Sequence, residues 1–354
     1  MHLLSLLKAE IRGLFPAYFA LVMSTGIVSI AAHLLDFPLI STVLFWINNL
    51  AFGLLLCLFL LRLLFYFPAF LDDFNSHAKG AGFFTLVAAT TILGVQYVLL
   101  QNNLQLALWL WYFAFICWLV LIYAFFVLII VKKEKPGLEK GINGIWLVIV
   151  VATQGVSILG TLLSGVLPFP AERVIFLTLS GYLLGCMLYI ILITLIFYRL
   201  VFFPMRAEEF APPFWINMGA VAISTLSGAT LLMNMEEGAA FADFIPFIKG
   251  FTMFFWATGS WWIPIIIILG IWRHVYKQIP LFYHPQYWGM VFPLGMYTVC
   301  TWRLAQALEL DYLKLIPTYF IYIAFVAWAV AFGGLCVSVV KLFLGTKKGV
   351  NTTG

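Results

Sequence analysis

The sequence predicts an all-α, polytopic membrane protein whose ten transmembrane helices form five tandem hairpins, with five of them enclosing a central path. Three observations carry this. Of 354 residues, 64% are hydrophobic and 9% charged, whereas a soluble domain carries about 25% charge, so a water-soluble globule is excluded. Uncharged runs such as 107–131 exceed the roughly 20 apolar residues needed to cross about 30 Å of hydrocarbon. Polar content then alternates between successive runs. The short alternating segments of a membrane β-barrel are absent from the sequence, and unbroken runs of this length satisfy their own backbone groups as helices.

The spans are expected near 15–35, 39–66, 79–101, 104–131, 142–166, 172–201, 213–235, 244–276, 286–308 and 312–344, separated by charge, Pro or Asn clusters. Lys8 and Arg12 precede the first, which has no short apolar core followed by a small-residue cleavage site, so it is read as a retained span. Short connections throughout imply one transmembrane domain over 1–354, with short tails at both ends. Fifteen of the 19 Lys and Arg fall in one set of connections; the other set holds Arg173, Lys249, Arg303 and Lys314. By the positive-inside rule both termini are cytoplasmic, in a cell membrane, and the sequon at Asn351 goes unused. The net charge of +5 is explained by these loops and calls for no nucleic acid.

The odd spans are rich in small and hydroxyl residues: Ser24, Thr25, Gly26 and Ser29 in the first; Thr85, Thr90, Thr91, Gly94 and Gln96 in the third. Thr153, Gln154, Gly155, Ser157 and Gly160 stand in the fifth, and Asn217, Gly219, Ser224, Thr225, Ser227, Gly228 and Thr230 in the seventh. The even spans are mostly Leu, Ile, Phe and Trp, and the fourth has no Ser, Thr, Asn or Gln from 107 to 130. Small residues also serve simply to bring membrane helices close. The pattern as a whole favours odd helices inside and even helices against lipid. Ser24, Thr25, Thr90, Thr91, Thr153, Gln154, Ser157, Ser224 and Thr225 are then candidates to line the path. An ion stripped of water costs tens of kcal/mol in an apolar medium by Born arithmetic, so donors along the wall favour conduction, and hydroxyls bind weakly enough to release the ion.

In the ninth span Pro293 removes a helical donor and biases Phe292 away from the α region, so a bend or an opening is expected there. At 100° per residue Phe292, Met296, Val299 and Arg303 share a face, with Arg303 roughly 16 Å beyond the phenyl ring. If that face looks inward, it places an aromatic plug in mid-membrane, adds Met296 and Val299 to the wall and sets a cation towards the outer mouth. The other reading is core packing for Phe292, and for Arg303 a snorkel to the interface or a pair with Glu309 or another outer carboxylate.

Catalytic and metal chemistry find no footing in the sequence. His33, His77, His274 and His284 are scattered at span ends, and the five cysteines are irregularly spaced in apolar segments. There is no phosphate loop and no Ser, His and acid set, so no enzyme activity, metal or cofactor is expected.

Five blocks, FPAYFALVMSTGIVSIAA (15–32), HAKGAGFFTLVAATTILGVQ (77–96), NGIWLVIVVATQGVSILG (143–160), PPFWINMGAVAISTLSGA (212–229) and YWGMVFPLGMYTVCTWRLA (287–305), together resemble the tellurite-resistance/dicarboxylate transporter family. That family includes the guard-cell slow anion channels and fungal malate and sulfite transporters. The resemblance covers about 12–344 and implies ten helices around a pseudo-fivefold pore, a homotrimer with a pore in each subunit, and occlusion by the phenylalanine before the ninth-helix proline, here Phe292 with Pro293. Channel members have prolines kinking several inner helices. Here the third and fifth spans have none, leaving Gly94, Gly155 and Gly160 as candidates for equivalent flexibility. The expected function is permeation of small inorganic or carboxylate anions; the alternative is a carrier or exporter of C4-dicarboxylate, sulfite or tellurite-type oxyanions, with or without proton coupling, with Arg303 as the basic group.

Overall fold

The computed structural model describes residues 2–210, 212–235 and 241–343; the tail from 344 onward, with Asn351, lies outside the described residues. Ten long helices follow in order: α1 Ala20–Leu34, α2 Pro38–Phe65, α3 Phe84–Gln101, α4 Leu104–Val131, α5 Val148–Leu162, α6 Ala171–Phe202, α7 Ile216–Asn234, α8 Ile245–Ile271, α9 Trp288–Ala307 and α10 Leu315–Phe343. Among the described residues nine helical stretches are long and apolar enough to cross a membrane. The helix that falls short on apolarity is α9, which carries Pro293, Thr298, Thr301 and Arg303 and is sheltered by α1, α7 and α10. This is a multi-pass membrane protein.

Each odd helix packs against the even helix that follows it, making five hairpins. The odd helices also contact one another in the cycle α1, α3, α5, α7, α9 and back to α1. That closed order is a five-membered inner ring inside five outer helices. Burial separates the two sets: within an apolar 18-residue stretch of each span, 78–94% of the residues are buried in the first four odd spans, against 11–44% in the even spans. On α4 the side chains of Trp109, Phe113, Ile116, Val120, Tyr123, Val127 and Ile130 are exposed at alternating four- and three-residue spacing, which lays one apolar stripe outward.

Glycine lets the ring close. A Cβ at Gly26 of α1 would lie 2.6 Å from Ile92 Cγ2 of α3; at Gly219 of α7, 2.7 Å from Pro293 Cγ of α9; at Gly295 of α9, 2.8 Å from Ile27 Cγ2 of α1. Gly94 and Gly155 serve the same close approach between α3 and α5, against Leu159 and Thr91. The α5–α7 seam is polar instead: Gln154 donates to Ser224 Oγ at 3.3 Å and Ser227 to Ser157 at 3.2 Å.

Two repeated devices hold the rings together. Indole N–H groups of outer helices donate to hydroxyls of the next inner helix: Trp118 to Thr153 at 2.9 Å, Trp256 to Thr301 at 3.0 Å and Trp328 to Thr25 at 3.0 Å. The tight turns from α1, α3 and α9 into their partners each use a residue at positive φ, Asp36 (60°), Asn102 (49°) and Glu309 (57°); after glycine, Asn and Asp tolerate this conformation best. Asn103 then caps α4 by accepting from the Leu106 N–H.

Candidate functional site

Every inner helix begins with a 3-10 turn: Pro16–Phe19, Gly80–Phe83, Gly144–Leu147, Pro212–Trp215 and Pro285–Tyr287. Each turn contacts the next and the last contacts the first, so the ring is closed at this end by a collar. The collar was legible in principle, as Pro or Gly and then aromatic residues recur at the start of each odd block, but the sequence reading missed it. The Gly144 backbone shows how tight it is, since a Cβ there would strike the Pro213 carbonyl.

Two cavities lie inside the ring. The first, about 20 Å³, sits at the collar end and is lined from all five units, by Phe15, Met23, Thr85, Val148, Ile216, Gln286 and Phe292 among others. The second, about 90 Å³, sits towards the other end and is again lined by all five odd helices: Ile27 and Ile30, Thr91 and Val95, Gly155 and Ile158, Ile223, Leu226 and Thr230, then Met296, Val299 and Arg303. Among the described residues no even helix contributes to either lining. The cavities part within one helical turn: Met23, Val151 and Phe292 face the first, and Ile27, Gly155 and Met296, four residues on, face the second.

Phe292 is buried, with 1% of its surface exposed. Helix α9 runs on through Pro293 from Trp288 to Ala307, so the helix does not open there. The proline still leaves the Gly289 carbonyl without its helical donor, and the ring of Pro293 fits where Gly219 has no side chain.

Arg303 is the one charged side chain on the wall of the larger cavity among the described residues. Its guanidinium donates to Gln306 Oε1 at 3.0 Å, rather than to Glu309. Arg62, from the opposite end, is tied into a network of its own: it donates to the Leu14 carbonyl and to Asp73 Oδ2 at 2.6 Å, and Lys79 holds the other Asp73 oxygen at 2.9 Å. Burial lowers the pKa of His284 beside the collar. At His77 burial, then Lys132 and Lys135, act in the same direction.

The structure distributes the sequence candidates as follows. Thr91, Met296, Val299 and Arg303 line the larger cavity and Phe292 the smaller. Thr25 and Thr153 accept bonds from outer-helix tryptophans. Gln154 donates to the Tyr182 carbonyl and to Ser224, and Ser157 to the Thr178 carbonyl. Thr90, Ser224 and Thr225 donate to carbonyls four residues back in their own helices. Ser24 contacts carbonyls of α1 and α9. A wall dense in hydroxyls was expected; the wall is mostly aliphatic, because in an apolar interior a hydroxyl satisfies the nearest carbonyl or indole first. Gly94 and Gly155 are close-approach positions rather than kinks, and Gly160 accommodates Trp111 and Thr178.

Comparison with known proteins agrees with this architecture. The voltage-dependent anion channel (SLAC1) family profile matches residues 13–336. An uncharacterized transporter of Methanocaldococcus jannaschii is 26% identical over 335 residues, covering 92% of this chain and 94% of its own. A second from the same organism is 25% identical over 331 residues, with 90% and 92% covered. An uncharacterized membrane protein of Mycobacterium tuberculosis is 35% identical over 145 residues, 41% of this chain and 73% of its own. A match that takes in nearly the whole chain, on a ring of five tandem hairpins, assigns this protein to the voltage-dependent anion channel family.

Proposed function

We propose that this protein passes small anions across the cell membrane through the space inside its inner ring, with Phe292 as the side chain that occludes the path. The observation that carries the reading is the pair of cavities, each lined by all five odd helices and none of the even ones, parted at the turn from Phe292 to Met296. A constriction of about 20 Å³ with aliphatic and aromatic walls admits no hydrated ion, and stripping the ion costs tens of kcal/mol by Born arithmetic. Apolar constrictions of this sort gate by excluding water. Removing the phenyl ring joins the two cavities. The collar end, where the basic connections gather, is the cytoplasmic end on this reading, and the working unit is a homotrimer with one path per subunit.

Reconstitution in liposomes tests it, wild type beside Phe292→Ala, with chloride, nitrate, sulfite and malate as ions. Flux through Phe292→Ala rises at least about tenfold, the factor that 1.4 kcal/mol of barrier represents. A near-zero flux in a folded Phe292→Ala protein overturns the proposal.

One observation favours a second reading, a carrier for a dicarboxylate or an oxyanion such as sulfite or tellurite. The larger cavity presents a single guanidinium, Arg303, to a mostly aliphatic chamber, which suits capture of one anionic group. Saturable, electroneutral uptake driven by a pH gradient and lost in Arg303→Gln selects this reading over the channel.

A further inference from the structure

The turn of α9 that carries Phe292 is gripped from both sides. On one, Gly219 of α7 takes the ring of Pro293, and a Cβ there would also lie 3.4 Å from Phe292 Cδ1. On the other, the Ser24 hydroxyl of α1 lies 2.7 Å from the carbonyl oxygen of Trp288. Trp288 is fully buried, and its indole N–H donates to the Tyr283 hydroxyl at 3.1 Å. Trp288 is thus fixed at both its side chain and its carbonyl, one turn before Phe292.

Ser24 has a second acceptor. Its oxygen is also 2.7 Å from the carbonyl of Ala20 in its own helix, and a hydroxyl has one proton to give. The Trp288 carbonyl has an alternative as well, because its helical partner is the N–H of Phe292, four residues on. Breaking a buried hydrogen bond is costly when a partner is left unsatisfied; here neither is. The contact from Ser24 to α9 can therefore open and close without stranding a polar group, although both residues are fully buried.

We infer that Ser24 is a positioning residue for Phe292, a two-acceptor latch that holds the Phe292 turn against α1 in the occluded form and turns to Ala20 when α9 moves. This rests on the reading of Phe292 as the occluding side chain. The latch has no direct contact with a permeating ion, so its effect must pass through Phe292 and vanish where that ring is absent.

The test measures chloride and nitrate flux in liposomes for Ser24→Ala, Phe292→Ala and the double variant, with the thermal midpoint of each protein in detergent. Loss of one hydrogen bond to a gating element raises flux of Ser24→Ala over wild type by roughly 2- to 10-fold. In the Phe292→Ala background the same substitution leaves flux unchanged, while the midpoint shifts alike in both backgrounds. Ser24→Cys, with a weaker donor and similar volume, falls between and guards against a folding defect in Ser24→Ala. Equal fold-changes in the two backgrounds overturn the latch, as does a silent Ser24→Ala beside an active Phe292→Ala. A silent Phe292→Ala overturns the occlusion reading itself, and the latch with it.

Discussion

At one end of the ring five 3-10 turns press on one another around a cavity of about 20 Å³ that ends at Phe292; at the other the same helices diverge around about 90 Å³, with Arg303 on the wall. The helices are the same, so the difference lies in what stands at their ends. Pro, Gly and aromatic residues make the starts narrow and interlocked, whereas the far ends carry aliphatic side chains and turns. Two glycines flanking the single helix α5 give the sharpest contrast. A Cβ at Gly144 would meet the backbone of Pro213, and one at Gly165 would meet nothing within 4 Å. Gly144→Ala is therefore expected to destabilise the protein by about 1–3 kcal/mol, the usual cost of forcing atoms into a packed site. Gly165→Ala stays within about 0.5 kcal/mol, as surface changes do. Thermal unfolding in detergent measures both, and equal losses at the two sites would remove the distinction between a locked end and a loose one.

The second contrast is electrostatic. Arg303 stands free of any carboxylate partner in the ion pairs of the described residues, whereas Arg62 at the collar end is held by Asp73. Of these two cations, Arg303 is the one that draws anions in on the proposed reading. In the Phe292→Ala background, Arg303→Gln should lower anion flux by roughly 2- to 10-fold at low salt, and the deficit should shrink as ionic strength rises and screens the charge. Arg303→Lys should retain most of the flux. A loss unaffected by salt, or shared by the lysine variant, would mark Arg303 as a packing residue and make the two ends electrostatically alike.

How much of this was legible in sequence depends on what kind of residue carried the signal. The sorting of odd from even helices was legible because an uncharged run such as α4 has no other medium than lipid. The four residues Phe292, Met296, Val299 and Arg303 were traceable to one interior because helical periodicity fixes which side chains share a face. The direction of the hydroxyls was not legible. Thr25 and Thr153 turn to tryptophans from α10 and α4, and Thr90 and Thr225 bond back to their own helices. Which acceptor a hydroxyl takes depends on neighbours distant in sequence, 303 residues distant for Thr25 and Trp328. The collar escaped for a related reason: a 3-10 turn of three or four residues carries little periodicity, and the turn-to-turn contacts that close the collar run between repeats.

The smallest contrast is titratable, and it too belongs to the tight end. His284 precedes the last collar turn and accepts the Gln286 N–H on Nδ1 at 3.2 Å, a role open to the neutral ring alone, since both nitrogens of the charged ring donate. Burial lowers its pKa from 6.5, so the folded protein binds fewer protons than the unfolded chain near that pH. The corresponding stability is complete above pH 6.5 and is lost as the pH falls from there through the folded-state value. His77, before the second collar turn, is lowered in the same sense by burial and then by Lys132 and Lys135. Thermal midpoints followed from pH 7.5 to 5 should therefore decline, and His284→Asn, which keeps an acceptor for Gln286 without a titrating ring, should make the decline shallower. If the acid slope is the same in His284→Asn and wild type, the collar draws no stability from a neutral His284, and its tightness rests on packing at positions such as Gly144 alone.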